Sequence, residues 1–167
     1  MEKRDQIKVY DHKLTRRCSG YRTKMFVKVY ELTLYTEKQY ENTNDIFNTN
    51  DGFLIEMKFL MNIPNEKIKQ NMLYGFHNNT SENGLLLIND DINIFLAIFD
   101  NVIINSNDQL CINYDSVHIN IRLTTNNGIK TVTINNHHFK NSLLRIWLGN
   151  KPVDKNLKNT IIRGLAC

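Results

Sequence analysis

Alternation of apolar and polar residues is the strongest signal along the chain, and it is clearest from Met25 to Thr36 (MFVKVYELTLYT). Phe26, Tyr30, Leu32 and Leu34 share one parity, while Met25, Val27 and Val29 share the other, which turns polar at Glu31 and Thr33. A strand apolar on both faces and then on one is covered twice early and once late, which predicts a central strand. The run before it, Gly20-Tyr21-Arg22-Thr23-Lys24, reads as a glycine turn that delivers Arg22 at the strand's entrance. Phe53 to Leu60 sets Phe53, Ile55, Met57 and Phe59 against Glu56 and Lys58, as a half-buried antiparallel strand does. Ile7 to Leu14 predicts a short polar-edged strand. Leu110 to Tyr114 and Val117 to Leu123 alternate, and Asn126-Asn127-Gly128 predicts a hairpin turn into Ile129 to Ile134.

Between these runs the period lengthens to that of a helix. Thr36 reads as an N-cap, with Tyr40, Thr43, Ile46 and Phe47 at helical spacing behind it. Pro64 opens a helix whose stripe is Ile68, Met72 and Phe76, with Leu73 beside them. Leu85 to Val102 carries Leu85, Ile88, Ile92, Phe95, Leu96 and Phe99. Phe139, Leu143, Leu144, Trp147 and Leu148 form a wide stripe that Gly149 ends in a left-handed stop. Asp154 caps a last helix that returns Leu157, Ile161 and Ile162 to the core. The order strands, helices, strands, helices predicts an α+β domain, a long antiparallel sheet with a layer of helices on one face.

A length of 167 residues fits one domain over 1–167, with 1–6 a loose tail. Hydrophobic content of 41% and a net charge of +4, with scattered basic residues, describe a soluble globular protein and give nucleic-acid binding no support. Cys18, Cys111 and Cys167 have no CxxC spacing, so neither a zinc site nor a disulfide framework is expected. No apolar run is long enough for a transmembrane helix, and MEKRDQIKVY lacks the apolar core of a signal peptide. The expectation is a cytoplasmic protein, or an exported or organellar one whose targeting segment has been removed. Asn78 and Asn79 both begin glycosylation sequons, which matter only in a secretory setting. Asp90-Asp91 and His137-His138 have no partners at ligand spacing, His118 faces away from the apolar parity, and no metal or cofactor is expected.

That leaves Arg22. A guanidinium at the entrance of a covered strand either caps a turn or pairs with a structural carboxylate, or it offers its fork of donors to a carboxylate or enolate. Spacing alone leaves both readings open.

Three segments carry a family resemblance: GYRTKMFVKVYELTLY, MKFLMNIPNEKIKQNMLYGF and FKNSLLRIWLGNKPVDKNLKNTIIRG. In this order and spacing they resemble the chalcone isomerase-like family, particularly its small bacterial-type members, with IWLG followed by KPVD the most specific piece. The resemblance implies an open-faced β-sandwich with a ligand cleft between sheet and helices. Plant members close a flavanone ring by adding a phenoxide across an enone; others bind fatty acids without chemistry, holding the carboxylate with the same arginine. Arg22 matches that arginine, and Asn71 falls where the true isomerases carry a cleft asparagine. Their catalytic tyrosine falls at about Pro64 here, and their strand threonine at about Tyr30. Without the residue that polarises the ketone, only electrostatic stabilisation by the arginine is left, and no useful chalcone isomerase activity is expected. Tyr30 is either a core residue or a phenol in the cleft wall. The resulting expectation is a non-catalytic protein whose cleft takes a fatty acid or other apolar carboxylate at Arg22, Tyr30 and Asn71. The alternatives are an isomerase (intramolecular lyase) acting on an unidentified enone and a ligand-free scaffold.

Overall fold

A computed structural model describes residues 5–167. Seven strands form one sheet in sequence order, each antiparallel to the next: β1 (Gln6–Val9), β2 (His12–Lys24), β3 (Val27–Thr36), β4 (Phe53–Phe59), β5 (Gln109–Tyr114), β6 (Ile119–Thr125) and β7 (Gly128–Ile134). A short helix α1 (Asp45–Asn48) precedes β4. Helices α2 (Asn65–Asn79) and α3 (Glu82–Leu96) separate β4 from β5, and α4 (His137–Leu148) and α5 (Lys155–Ala166) close the chain.

The core lies between one sheet face and the helices α2 to α5. Register stacks Leu32 on Met57, Met57 on Leu110 and Leu110 on Leu123, so the buried parity of four strands forms one apolar floor. Phe76, Phe95, Phe99 and Phe139, all fully buried, meet above it with ring centroids 5.6–6.1 Å apart. On the opposite face, Leu14, Tyr35 and Leu54 gather Ile7, Val9 and Cys111 into a small second cluster. Edge strand β1 thus packs against β4 and β5, and the sheet curls.

A bulge at Arg17 decides which way Arg22 points. Arg16 pairs with Tyr35 but Cys18 pairs with Leu34, leaving Arg17 unmatched. The extra residue inverts the alternation: Leu14 faces the second cluster, whereas Cys18, Gly20 and Arg22 face the helices. Helix α5 lies directly on this stretch because two glycines let it approach. A Cβ on Gly20 would stand 2.8 Å from Leu157 Cδ1, and one on Gly164 would stand 2.5 Å from the Arg17 carbonyl oxygen.

Several sequence expectations are corrected. Gly20–Lys24 is the end of β2 rather than a turn; the chain reverses at Met25–Phe26, a pair that carries no turn signal. A second bulge at Val29 separates Phe26 from the buried parity, and Phe26 is fully exposed. Ile7 to Leu14 spans two strands. Thr36 ends β3, where its hydroxyl accepts from Arg17 Nε and donates to the Lys38 carbonyl, so it caps no helix and only α1 forms behind it. Leu73 and Val117 are exposed, and Gly149 is extended with φ of −72° rather than left-handed. Of the tail expected over 1–6, residues 1–4 lie outside the described residues, Asp5 accepts from Arg16, and Gln6 already pairs with Thr15.

Helical Gly→Ala substitutions usually stabilise by about 1 kcal/mol. At Gly164 the new methyl meets a backbone carbonyl, so Gly164→Ala is expected to lower stability by roughly 1–3 kcal/mol in urea unfolding. Gly20→Ala, meeting the side chains of Leu157 and Thr160 rather than backbone, is expected to be milder.

His12 supplies a pH test. Its Nδ1 contacts the Glu37 carboxylate and its Nε2 lies 3.1 Å from the Asp115 carbonyl, so both ring nitrogens face acceptors and the imidazolium fits best. The bond to Glu37 raises the His12 pKa against the opposing effect of burial. A raised folded-state pKa gives stability that is complete below the unfolded value of about 6.5 and is lost as pH rises through the folded value. Thermal unfolding is expected to show wild type losing stability relative to His12→Gln as the pH rises above about 6.5.

Candidate functional site

Near the turn end of the β2–β3 hairpin the helices lift off the sheet and leave a cavity of about 530 Å³. Its floor is the buried face of Tyr30, Phe59, Ile63, Ile68, Met72 and Ile146. Gly75 lets α2 sit close to α4 there, since a Cβ on it would lie 3.0 Å from Ile146 Cγ2. The rim is polar. Arg22 and Lys24 stand on β2, Asn71, Tyr74 and Asn78 on α2, and Lys151 and Lys155 at the α4–α5 connection. Among the described residues four cations and no carboxylate line the space. Clefts lined by one sign of charge over an apolar wall focus the field and attract anions.

Arg22 and Tyr30 are register partners across β2 and β3, so their side chains leave the same face side by side. Arg22 Nη1 donates to the Thr23 carbonyl oxygen at 2.8 Å and lies 3.8 Å from Asp154 Oδ2. The Asp154 carboxylate is already engaged: Oδ1 accepts from Leu157 N at 3.0 Å, capping α5, and Oδ2 accepts from Thr23 N at 2.9 Å. It therefore steadies the guanidinium without neutralising it at contact distance. Nε and Nη2 hydrogen-bond to no described residue.

Tyr30 is buried, and its phenol oxygen accepts from Trp147 Nε1 at 2.9 Å. Indole donates only, so the phenol's own proton has no acceptor among the described residues. Burial pushes the Tyr30 pKa up to about 12, although the Trp147 bond and the charge of Arg22 pull it down. At neutral pH Tyr30 is a hydrogen-bond donor, not a base. The arrangement provides a fixed cation, a neutral donor and an amide above an apolar well.

The structure brings Arg22, Tyr30 and Asn71 to one cavity, Arg22 and Tyr30 adjacent and Asn71 on the exposed rim. Pro64 lies outside the lining and serves as the N-cap of α2. Sequence reasoning missed Trp147 as the partner of Tyr30, the second role of Asp154 beside Arg22, and the rim lysines. An aspartate two residues after Pro152 announces a helix cap, but nothing in the sequence says which strand end it also holds. A second hollow, on the outer sheet face between β1 and β5–β7, shares no residue with this one. Among the described residues no group of three His, Cys, Asp or Glu could hold a metal ion, and no helix is long and apolar enough to cross a membrane.

Comparison with known proteins agrees with the fold. The model of the chalcone isomerase-like family matches residues 1–162. No curated protein sequence matches the chain. Among solved structures, a fatty-acid binding protein of Arabidopsis thaliana superposes with a TM-score of 0.72, covering 92% of this chain and 88% of that one at 14% identity. At that identity the likeness speaks for the fold, and the family model speaks for descent: the chain belongs to the chalcone isomerase-like family.

Proposed function

We propose that residues 1–167 act as one non-catalytic binding domain whose cavity takes a fatty acid or another apolar carboxylate. The observation that carries the reading is a cavity of about 530 Å³ with an apolar floor and an all-cationic charged rim, in which Arg22 stands beside the unsatisfied phenol proton of Tyr30. That volume lies within the roughly 300–1,000 Å³ typical of small-molecule sites. The carboxylate meets Arg22 through its unengaged nitrogens and accepts from Tyr30, with Asn71 at the rim. The alkyl chain runs over Phe59, Met72 and Ile146. The fatty-acid binding named for the Arabidopsis structure supports this choice of ligand.

The isomerase alternative needs an acid–base group in the cleft besides Arg22. Tyr30 stays a phenol at neutral pH, and Pro64 offers no donor and no ionisable group. The scaffold alternative calls for a closed cleft, whereas space remains beside Arg22.

Displacement of a fluorescent fatty acid, with native mass spectrometry for stoichiometry, tests the reading. A charge-assisted hydrogen bond contributes about 1.5–3 kcal/mol, so Arg22→Gln is expected to weaken a saturated fatty acid roughly 10–100-fold. The matching fatty alcohol should change little, and equal loss of acid and alcohol would mean that Arg22 only maintains the fold.

Tyr30→Phe removes a neutral donor and is expected to weaken the acid about 3–10-fold. It also strips Trp147 Nε1 of its acceptor, and the melting temperature should fall accordingly. Incubation with chalcone-like enones between about pH 6 and about pH 9 is expected to give no rate above buffer, because Tyr30, the candidate base, keeps its proton in that range. Turnover that survives in Tyr30→Phe and Arg22→Gln would place chemistry elsewhere.

A further inference from the structure

The β2–β3 hairpin closes through two residues, Met25 and Phe26, with φ of 49° and 67°. Two left-handed residues in a two-residue loop are the type I′ pattern, which Asn-Gly fills at little steric cost. Met and Phe are opposed there by their own Cβ atoms. The chain is rich in asparagine and uses it at the β6–β7 turn, Asn126–Asn127, where the positive φ falls on Gly128. At β2–β3 it accepts the strain, and the fold receives no packing in return: Met25 is 85% exposed and Phe26 102%. Strain that displays apolar side chains to solvent points to something outside the chain.

The surroundings say what that is. From Gly20 to Leu34 the hairpin carries Arg22, Lys24 and Lys28 against a single acid, Glu31. Lys24 and Lys28 bracket the tip, and the Lys28 ammonium lies 3.9 Å from the Tyr21 ring centroid. Lys151 and Lys155 add positive charge on the same cavity rim. We propose that the Met25–Phe26 tip docks on an anionic lipid bilayer, its side chains entering the interface while Lys24 and Lys28 bind headgroups. Apolar insertion and electrostatic attraction act together in such anchors, and lysine stems reach outward while their ammonium groups stay with the headgroups. A second copy of the chain is the poorer occupant, because tip-to-tip contact sets the lysine pairs against each other. Since the same hairpin walls the cavity, docking turns the cavity mouth toward the lipid. Passage of an acyl chain from bilayer to cavity rests on the carboxylate site proposed above; the docking does not.

Flotation of the full chain with phosphatidylcholine vesicles, and with vesicles containing about 30% phosphatidylglycerol, tests the proposal. Wild type is expected to float with the anionic vesicles and poorly with the neutral ones. Met25→Asn with Phe26→Gly is expected to lose vesicle affinity about tenfold or more, yet to unfold at an equal or higher urea concentration because the new pair suits the turn. Lys24→Ala with Lys28→Ala is expected to lose about tenfold or more at low salt. Fatty-acid displacement in vesicle-free buffer should be unchanged in the tip variant. Flotation without fatty-acid binding would uphold the docking and remove the carboxylate reading. No flotation of wild type, equal flotation of the tip variant, or a tip-dependent dimer in sedimentation without flotation would overturn the docking.

Discussion

One carboxylate joins the parts on which the site depends. Asp154 caps α5 through Leu157 N, holds the end of β2 through Thr23 N, and stands 3.8 Å from the Arg22 guanidinium. Helix α5 can reach that strand only because Gly20 and Gly164 lack side chains. The arginine therefore stands on a strand end fixed from both sides, in a place where the helices have separated from the sheet. Had Asp154 made a close bidentate pair with Arg22, the cation would be spent inside the fold; at this distance it is oriented and still open to an anion.

The proposal of binding rather than catalysis rests on the neighbouring phenol. A site that polarises an enone and moves a proton needs a group that titrates near neutrality, and desolvation works against this at Tyr30 by pushing its pKa up to about 12. Burial favours the neutral donor, which suits recognition of a carboxylate. Trp147 fixes where the phenol oxygen sits, so the donor is preorganised before any ligand arrives. In the proposed complex the rim lysines would draw an anion in, and the apolar floor would take the chain attached to it.

Much of the fold was legible in the sequence because periodicity reports burial. The alternation in Phe53–Phe59, the stripe Ile68, Met72 and Phe76, and the cap at Asp154 all stand where their patterns put them. The failures have two causes: a signal that lay in a contact distant in sequence, and local backbone features that the residue types do not announce. Gly20 looks like a turn residue, but its lack of a Cβ serves α5, well over a hundred residues later. The bulge at Arg17, which sends Arg22 to the helix face, leaves no mark in composition, and the Met25–Phe26 turn contradicts the usual chemistry of its type. The position of Arg22 in the site was read from family resemblance, while its neighbours Trp147, Asp154 and the rim lysines required the fold.

The central claim is that the space beside Arg22 receives a carboxylate with its alkyl chain inward. A crystal structure of the complex with a saturated fatty acid brominated near its tail end tests it most directly. The account predicts carboxylate oxygens within hydrogen-bonding distance of Arg22 and Tyr30, and anomalous bromine density over the Phe59, Met72 and Ile146 floor. Bromine at the rim with the carboxylate turned away from Arg22, or the acid bound elsewhere with this cavity empty, would contradict it.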